Sequence, residues 1–340
     1  MSIKIISTAS YTAGKILDNY MLSEMVETNN QWIIERTGIE TRYIADKVTT
    51  EELAYNSCKK ALEKLEIDVH EVGLIICSTI TGDSSVPSSS FIISDKLGIE
   101  NAICFDVNAA CSGFIYSISI AKALIESTNL KYAIVVGAER LSKYIDWQDR
   151  STCILFGDGA GCVILENSSY KDNIKKSKEN NFTIKNKTNI DDLELVDSII
   201  GGKCDQKRYL TMNSRESFEE EACYIKMNGR QIYKFATDIG VKVIEDLLKN
   251  NNIDKEDVCL VIPHQSNLRI IETLAGKSGI SIKKWFVNLN KYGNTSSASV
   301  PIALDEAIEK IDFKSNKGKY IIILAFGGGL SYGASLIKIS

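Results

Sequence analysis

The sequence has few histidines and prolines, no long apolar run and no excess of basic residues. Among its 340 residues are two histidines and three prolines, and the formal net charge is −4. No apolar run reaches the roughly 18 residues of a membrane span, and the N-terminal segment lacks the apolar core of a signal peptide. The charge balance provides no basic field for nucleic acid. We therefore expect a cytoplasmic protein without nucleic-acid or membrane partners.

The nine cysteines are scattered along the chain, and no two of them have CxxC spacing. Most lie in apolar segments, and an odd number without ligand spacing is atypical of a disulfide framework or a zinc site. Hydrophobic residues make up 44% of the chain and charged residues 25%, as in ordinary soluble globular proteins. We expect reduced cysteines and no bound metal.

The segment 105–125 joins a short apolar run to a long apolar segment through a cluster of small residues. The run 102–107 predicts a strand, and the segment after the small residues 108–113 is apolar nearly all round, as in a buried helix. Cys111 then lies at a helix N-terminus, whose unpaired N–H groups favour a thiolate. Cys111 is therefore either a nucleophile or a buried structural cysteine.

The sequence also contains an internal repeat. The segments 65–77 and 251–263 align with a constant offset of 186 residues, which pairs Val72 with Val258. Each segment predicts a polar turn that leads into a buried strand. We interpret the repeat as a duplicated α/β unit, with a sheet flanked by helices in each half.

The repeat predicts two similar halves separated by a polar segment. The N-terminal half, 1–166, contains Cys111, and the C-terminal half spans 201–340. Residues 167–189 hold six lysines against one Asp and one Glu. We therefore predict that 167–200 is an exposed loop or insertion, although the lysines could also form a docking patch.

Two polar residues in the second half occupy positions that suit a binding or catalytic site. His264 directly follows a predicted strand, and α/β proteins bind ligands at the carboxyl ends of strands. Asn294 lies in a turn of small residues before a predicted helix, where Asn is also common for conformational reasons. His70 lies in a polar turn and is expected at the surface. Taken singly, His264 and Asn294 each have a structural as well as a catalytic interpretation.

The ordered motifs together resemble those of the β-ketoacyl-[acyl-carrier-protein] synthase III family. In chain order they are WIIERTGI, FDVNAACSGF, DRSTCILFGDGAG, MNGRQIYKFA, PHQSNLRI, YGNTSSASVP and AFGGG. The match covers nearly everything outside 167–200. It implies an α/β thiolase-like fold, an internally duplicated five-layer α-β-α-β-α arrangement, in agreement with the repeat. It also implies a homodimer.

The set of available side chains separates related sub-families of condensing enzymes. Elongating enzymes use Cys-His-His, thiolases need a second catalytic Cys, and hydroxymethylglutaryl-CoA synthases use a Glu acid. With His70 discounted, this chain offers Cys111, His264 and Asn294, a set shared with chalcone-synthase-like enzymes. The flanking motifs, however, resemble synthase III.

The resemblance implies a decarboxylative condensation that starts fatty acid biosynthesis. Cys111 would take the acyl group of an acyl-CoA, with the backbone N–H groups of Cys111 and Gly328 holding the oxyanion. His264 and Asn294 would then stabilise the enolate formed from malonyl-[acyl-carrier protein]. Acyl-CoA and the malonyl carrier are substrates, so no permanently bound cofactor and no metal are implied.

The resemblance further assigns residues to the two substrates. Trp32 and Arg150 would sandwich the CoA adenine, Arg36 would meet a phosphate with Thr28 close by, and Asn267 would bond the pantetheine arm. Acyl carrier proteins are acidic, so their docking surface should be basic. The residues that match the docking positions are Lys234 and Arg269, with Lys277 as a further candidate.

One position departs from the family pattern. Many acetyl-using members carry Phe at the floor of the acyl pocket, contributed across the dimer interface, whereas this chain has Val86. The smaller side chain leaves more room, so four- or five-carbon starters, including branched ones, are an alternative to acetyl. Two other functions also stay open: a specialised paralogue with polyketide-type starter condensation or acyl transfer, and a thiolase-fold binding protein without turnover.

Overall fold

The computed structural model describes residues 2–170, 190, 193–213 and 223–340. Its helices are α1 (Asn19–Ser23), α2 (Asn30–Thr37), α3 (Thr50–Glu63), α4 (Ser89–Leu97), α5 (Gly113–Thr128), α6 (Arg150–Cys153), α7 (Gly229–Asn250), α8 (Leu268–Ser278), α9 (Leu289–Tyr292) and α10 (Ser299–Ile308). Its strands are β1 (Ile3–Tyr11), β2 (Lys15–Asp18), β3 (Thr41–Ile44), β4 (Val72–Ser78), β5 (Ile103–Val107), β6 (Tyr132–Glu139), β7 (Gly159–Asn167), β8 (Leu193–Gly202), β9 (Leu210–Thr211), β10 (Lys226–Met227), β11 (Val258–Pro263), β12 (Tyr320–Gly327) and β13 (Ser331–Ile339).

Nine strands form one sheet in the order β11-β12-β13-β8-β1-β7-β6-β4-β5. In the first half, β4 pairs in parallel with β5 and β6, and β7 and β1 follow antiparallel. The second half repeats this order: β11 is parallel to β12, and β13 and β8 follow antiparallel. Where the first half has β5, the second has a single parallel bridge between Val261 and Trp285.

The repeat extends to the turns that precede the two central helices. α5 begins at Gly113 and α10 at Ser299, 186 residues later, and each follows a short 3₁₀ turn. Both turns begin with a non-glycine residue in the left-handed region, Ala110 with φ of 47° and Ser296 with φ of 49°. Few residues with a side chain adopt this conformation. The two halves therefore keep the same strand-to-helix geometry.

Three apolar clusters stack the elements into five layers. One packs α3 and α4 on the first half of the sheet, and another packs α7 and α8 on the second half. Between the halves lie α5 and α10, which contact strands of both. Burial on both sides explains why α5 is apolar nearly all round, with Phe114 and Ile118 fully buried. The predicted five-layer α-β-α-β-α duplication is confirmed.

The predicted loop or insertion 167–200 is wrong at its C-terminal end. Leu193–Gly202 forms β8, which pairs with β13 and, briefly, with β1. Side chains alternate between the two faces of β8, and Leu193 and Leu195 are buried against the central layer. The polar sequence before them hides this alternation. The lysine-rich residues 171–189 lie outside the described residues.

Among the described residues, no helix combines the length and apolar character of a membrane span.

Glycine 137 in β6 allows the second turn to lie against the strand. A Cβ atom at Gly137 would lie 2.4 Å from the carbonyl oxygen of Ser297. We expect Gly137→Ala to reduce the free energy of unfolding by about 1–3 kcal/mol, because the backbone must shift. The control is Gly276→Ala in α8, where nothing lies within 4 Å. Urea unfolding should show the control to be at least as stable as the native protein. Equal stability of Gly137→Ala would contradict this role.

Candidate active site

Cys111 lies in the 3₁₀ turn between β5 and α5, at the wall of a cavity of about 870 Å³. The side chain is buried, with 7% of its surface exposed. The same cavity is lined by Ser296 from the turn before α10 and by Gly328 after β12. The two duplicated turns and the glycine run therefore meet at the sulfur.

The thiol of Cys111 is held in its protonated form. Burial raises its pKa to about 12, although a hydrogen bond with Ser296 lowers it and the charge of Glu139 raises it further. Burial therefore opposes the thiolate that the helix N-terminus was predicted to favour, because loss of solvation penalises the charged form of the sulfur.

His264 directly follows β11 and is 2% exposed. Its ring meets Phe326 edge-on at 5.7 Å, and its Nδ1 atom lies 2.5 Å from Ser299 Oγ. The N–H of Gln265 donates to the same hydroxyl oxygen, which leaves the Ser299 proton for Nδ1. This favours the tautomer with the proton on Nε2. Burial lowers the pKa of His264 to about 3, so the ring is neutral at pH 7.

Asn294 is held by hydrogen bonds that orient its amide. Its backbone N–H donates to Leu155 O at 2.8 Å, and the N–H of Ser296 donates to its Oδ1 at 2.9 Å. Because Oδ1 is engaged, the Nδ2 group is the part of the side chain oriented as a donor. His264 and Asn294 thus each offer an N–H, which is oriented by Ser299 at the start of α10 for His264 and by Ser296 in the preceding turn for Asn294.

The glycine run after β12 packs directly on the turn of Cys111. A Cβ atom at Gly327 would lie 2.8 Å from the Cys111 nitrogen, so only glycine allows this approach. The Ser331 hydroxyl lies 2.9 Å from the carbonyl oxygens of both Ala109 and Gly328. Ser331 therefore ties the two segments whose N–H groups were predicted to form the oxyanion hole.

Glu139 is a buried acidic residue that the sequence reading missed. It ends β6, is fully buried, and accepts hydrogen bonds from Thr81, Ser297 and Ser296 at 2.7, 2.9 and 3.1 Å. Burial raises its pKa to about 7, although the hydrogen bonds lower it. The available signal was an acidic residue at the end of a strand that is otherwise apolar.

Trp32 and the two predicted arginines lie together. The guanidinium of Arg150 is 4.9 Å from the Trp32 ring centroid, and that of Arg36 is 5.5 Å away. Arg150 also donates to Glu27 O at 2.9 Å. An aromatic ring between Trp32 and Arg150 needs a separation of about 7 Å. The predicted adenine sandwich is therefore closed here, and Arg150 would have to move aside.

The other predicted CoA residues lie near α2. The hydroxyl of Thr28 is buried without a hydrogen-bond partner in the described part of the chain. Asn267 caps α8 by accepting from Arg269 N at 2.9 Å, and its amide donates to Arg36 O at 3.0 Å. Its amide therefore already holds two helix ends together.

The predicted carrier-docking residues are exposed on neighbouring helices. Lys234 lies on α7, and Arg269 and Lys277 lie on α8. Arg269 donates to Glu35 O at 3.0 Å, and Lys277 pairs with Asp238 at 3.0 Å. Exposed ion pairs of this kind contribute little stability and can be exchanged.

Val86 does not enter the cavity of its own chain. It is 88% exposed, whereas the preceding residue, Ser85, lines the cavity. In the described residues, no group of three or more His, Cys, Asp or Glu side chains could hold a metal ion.

Comparisons with known proteins agree with this geometry. Residues 105–181 match the family described as 3-oxoacyl-[acyl-carrier-protein (ACP)] synthase III, and 248–339 match its C-terminal family. The structure is similar to the crystal structure of 3-oxoacyl-[acyl-carrier-protein] synthase III from Aquifex aeolicus VF5, with a TM-score of 0.86, 37% identity and 99% of each chain covered. These neighbours define the class as thiolase-fold condensing enzymes, which confirms the predicted fold class.

The sequence relatives narrow this class. A protein of Clostridium perfringens (strain SM101 / Type A) named beta-ketoacyl-[acyl-carrier-protein] synthase III is 43% identical over 338 residues, 99% of each chain. A protein of the same name from Wolbachia pipientis subsp. Culex pipiens (strain wPip) is 42% identical over 336 residues, 98% of each chain. The chain belongs to the β-ketoacyl-[acyl-carrier-protein] synthase III family.

The protonated state of Cys111 can be measured directly. The difference in ultraviolet thiolate absorbance between the native protein and Cys111→Ala should stay near zero up to about pH 9, because burial raises the thiol pKa to about 12. A step in this difference at or below neutral pH would show a thiolate in the resting protein and contradict the burial argument.

Proposed function

We propose that this chain condenses an acyl-CoA starter with malonyl-[acyl-carrier protein], with loss of carbon dioxide, and so initiates fatty acid biosynthesis. Family membership supports the reaction class. The observation that carries the residue assignment is the meeting of Cys111, Gly328 and the turn before α10 at one cavity. We further propose that the enzyme is a cytoplasmic homodimer and needs no metal or permanently bound cofactor.

In the first half-reaction, Cys111 attacks the thioester carbon of the acyl-CoA. The C–S bond to CoA breaks, CoA leaves as the thiol, and an acyl-enzyme remains. The N–H groups of Cys111 and Gly328 bind the tetrahedral oxyanion, a role supported by the Ser331 contacts that tie their segments together. CoA enters along Trp32, and its adenine displaces Arg150 from the indole face.

In the second half-reaction, the malonyl carrier replaces CoA. His264 through Nε2 and Asn294 through Nδ2 donate to its thioester oxygen, which stabilises the enolate as carbon dioxide departs. The carbanion attacks the acyl carbon, the C–S bond to Cys111 breaks, Cys111 is released as a thiolate that takes up a proton, and the β-ketoacyl carrier leaves. The neutral state of His264 supports this role. A neutral N–H donor that is already held in position can stabilise the enolate without rearrangement of solvent around a charged ring. The acidic carrier docks on Lys234, Arg269 and Lys277.

A second candidate is a specialised paralogue of the same family. The structure is similar to that of the priming β-ketosynthase from the R1128 polyketide biosynthetic pathway, with a TM-score of 0.83, 28% identity and 99% of this chain covered. Val86 also favours a starter other than acetyl. Product analysis with malonyl-[acyl-carrier protein] and with other acceptors separates the two candidates.

The division of labour between the side chains is testable. His264→Ala and Asn294→Ala should each slow malonyl decarboxylation by roughly 10²–10³-fold, as expected for loss of one donor to an oxyanion. Each should leave acylation of Cys111, followed by intact-protein mass spectrometry, close to the native rate. The control, Cys111→Ser, should abolish acyl-enzyme formation. Equal loss of acylation and decarboxylation in either alanine variant would show that the roles are not divided in this way.

The starter preference tests Val86 and the dimer together. Each additional buried methylene contributes about 0.8 kcal/mol, so a pocket one or two methylenes deeper shifts preference by roughly ten-fold. We expect kcat/KM for butyryl- and isobutyryl-CoA to be at least that for acetyl-CoA, and Val86→Phe to reverse the order. Val86→Ala, which adds no volume, should keep the native order. A strong acetyl preference unchanged by Phe, or a monomer in analytical ultracentrifugation, would contradict the account.

A further inference from the structure

Glu139 is the buried acidic residue to which the proposed reaction gives no role. It ends β6 and is fully buried, so its hydrogen-bonding capacity must be met by neighbouring groups. Its Oε2 atom accepts from the Thr81 hydroxyl at 2.7 Å and from the Ile80 N–H at 3.2 Å, both after β4. Its Oε1 atom accepts from the Ser296 hydroxyl at 3.1 Å, in the turn before α10. One side chain therefore joins the first half of the molecule to a turn of the second half.

Ser296 is the residue of that turn that depends on the carboxylate. Within the described part of the chain, its hydroxyl donates to Glu139 alone. The neighbouring Ser297 differs, because its single hydroxyl proton is shared between Glu139 Oε1 at 2.9 Å and the carbonyl oxygen of Ser78 at 2.8 Å. Ser296 also has a φ of 49°, a conformation that a residue with a side chain keeps only where its surroundings hold it. The hydrogen bond to Glu139 supplies such a restraint.

The backbone of Ser296 carries this restraint to Asn294. The Ser296 N–H donates to Asn294 Oδ1 at 2.9 Å. The main chain of Asn294 is held separately, by Leu155 O at 2.8 Å and by the N–H of Gly157 at 3.1 Å. Those two bonds leave the side-chain amide able to turn, so the Ser296 N–H is the contact that distinguishes Oδ1 from Nδ2. Nδ2 makes no hydrogen bond to the described residues, so it remains available to a substrate oxygen.

The internal repeat shows that packing alone does not require a carboxylate at this position. The strands β6 and β12 each have eight residues and begin opposite the equivalent valines of β4 and β11, so Glu139 corresponds to Gly327. Each of these two residues ends its strand against the 3₁₀ turn of the other half. Gly327 does so against Cys111 without any side chain. The side chain of Glu139 therefore serves its hydrogen bonds and not the fit between strand and turn.

We propose that Glu139 is a positioning residue for the decarboxylation step: it holds Ser296, and Ser296 holds the Asn294 amide with Nδ2 as the donor to the malonyl thioester oxygen. The inference rests on the proposed role of Asn294 as a donor to the enolate. Glu139 contacts no substrate and transfers no proton in this scheme, so acylation of Cys111 does not depend on it. Because Glu139 acts only through Asn294, its loss costs no more rate than the loss of Asn294 itself.

The kinetic test compares the two half-reactions in Glu139→Ala and in Ser296→Ala. Each variant should slow decarboxylation of malonyl-[acyl-carrier protein] by roughly 10-fold, as expected for the loss of one restraining hydrogen bond. Each should acylate Cys111 at close to the native rate. Glu139→Gln should recover most of the decarboxylation rate, because its amide can still bond groups of both halves. Equal slowing of acylation and decarboxylation in Glu139→Ala would overturn the proposal.

A double variant and a matched control separate positioning from a general loss of stability. Glu139→Ala combined with Asn294→Ala should decarboxylate no more slowly than Asn294→Ala alone, since the residue that Glu139 positions is then absent. A further loss of roughly 10-fold would overturn the proposal. The control is Asp305→Ala in α10, which removes another buried carboxylate that accepts from hydroxyls, those of Thr8 and Ser10. It should lower the unfolding temperature but keep the native decarboxylation rate, and equal slowing there would also overturn the proposal.

The geometry can be tested without any substrate. A crystal structure of Glu139→Ala should show residue 296 outside the left-handed region or the Asn294 amide turned away from the 296 N–H, in contrast to the native protein. An unchanged turn would overturn the positioning role even if the condensation is confirmed. A displaced turn in a protein that does not decarboxylate the malonyl carrier would reject the proposed function but support the link between Glu139 and Asn294.

Ser296→Ala decides if Glu139→Ala does not fold. Alanine is compatible with position 296, because Ala110 has a φ of 47° at the equivalent position of the first half. The same two measurements apply to this variant. Slower decarboxylation with native acylation and a displaced Asn294 amide support the proposal, and native values of both reject it.

Discussion

The close approach of the turns 110–112 and 296–298 is the constraint on which the site depends. Gly137 lets the Ser297 carbonyl lie against β6, and Gly113 leaves room for Ser78, the residue equivalent to His264 in the repeat. A larger side chain at Gly137 would push the turn 296–298 of the second half away from β6, and one at Gly113 would collide with β4. The duplication therefore does more than repeat a fold: it brings two equivalent strand-to-helix turns together, and each has acquired different chemistry.

Burial sets the charge state of the whole site. It raises the pKa values of Cys111 and Glu139 and lowers that of His264. Each shift favours the neutral form, since a low-dielectric interior penalises charge of either sign. Hydrogen-bond donors then take the place of counter-ions: threonine and serine hydroxyls surround the carboxylate. Charge that develops on a substrate oxygen or on sulfur during the reaction would meet donors whose positions are already set.

Much of the architecture followed from local patterns. The 186-residue repeat, the apolar helix after Cys111 and the strand before His264 all depend on short-range periodicity, which burial imposes directly on the sequence. The strand at the end of the segment 167–200 could not be predicted from local patterns. This strand, β8, is stabilised by pairing with β13, which lies more than a hundred residues away in the chain. The pairing of distant strands leaves only a weak local signal.

The sequence alone was enough to predict the duplicated fold and the family. It also singled out Cys111, His264 and Asn294 as candidate site residues, because each of them lies in a contiguous motif. The tertiary structure decided the protonation of Cys111, since solvation depends on what packs around the sulfur and not on its neighbours in the chain. It also decided the place of Glu139. A carboxylate that meets Thr81 from one half and Ser296 from the other can be identified only when the halves are packed together.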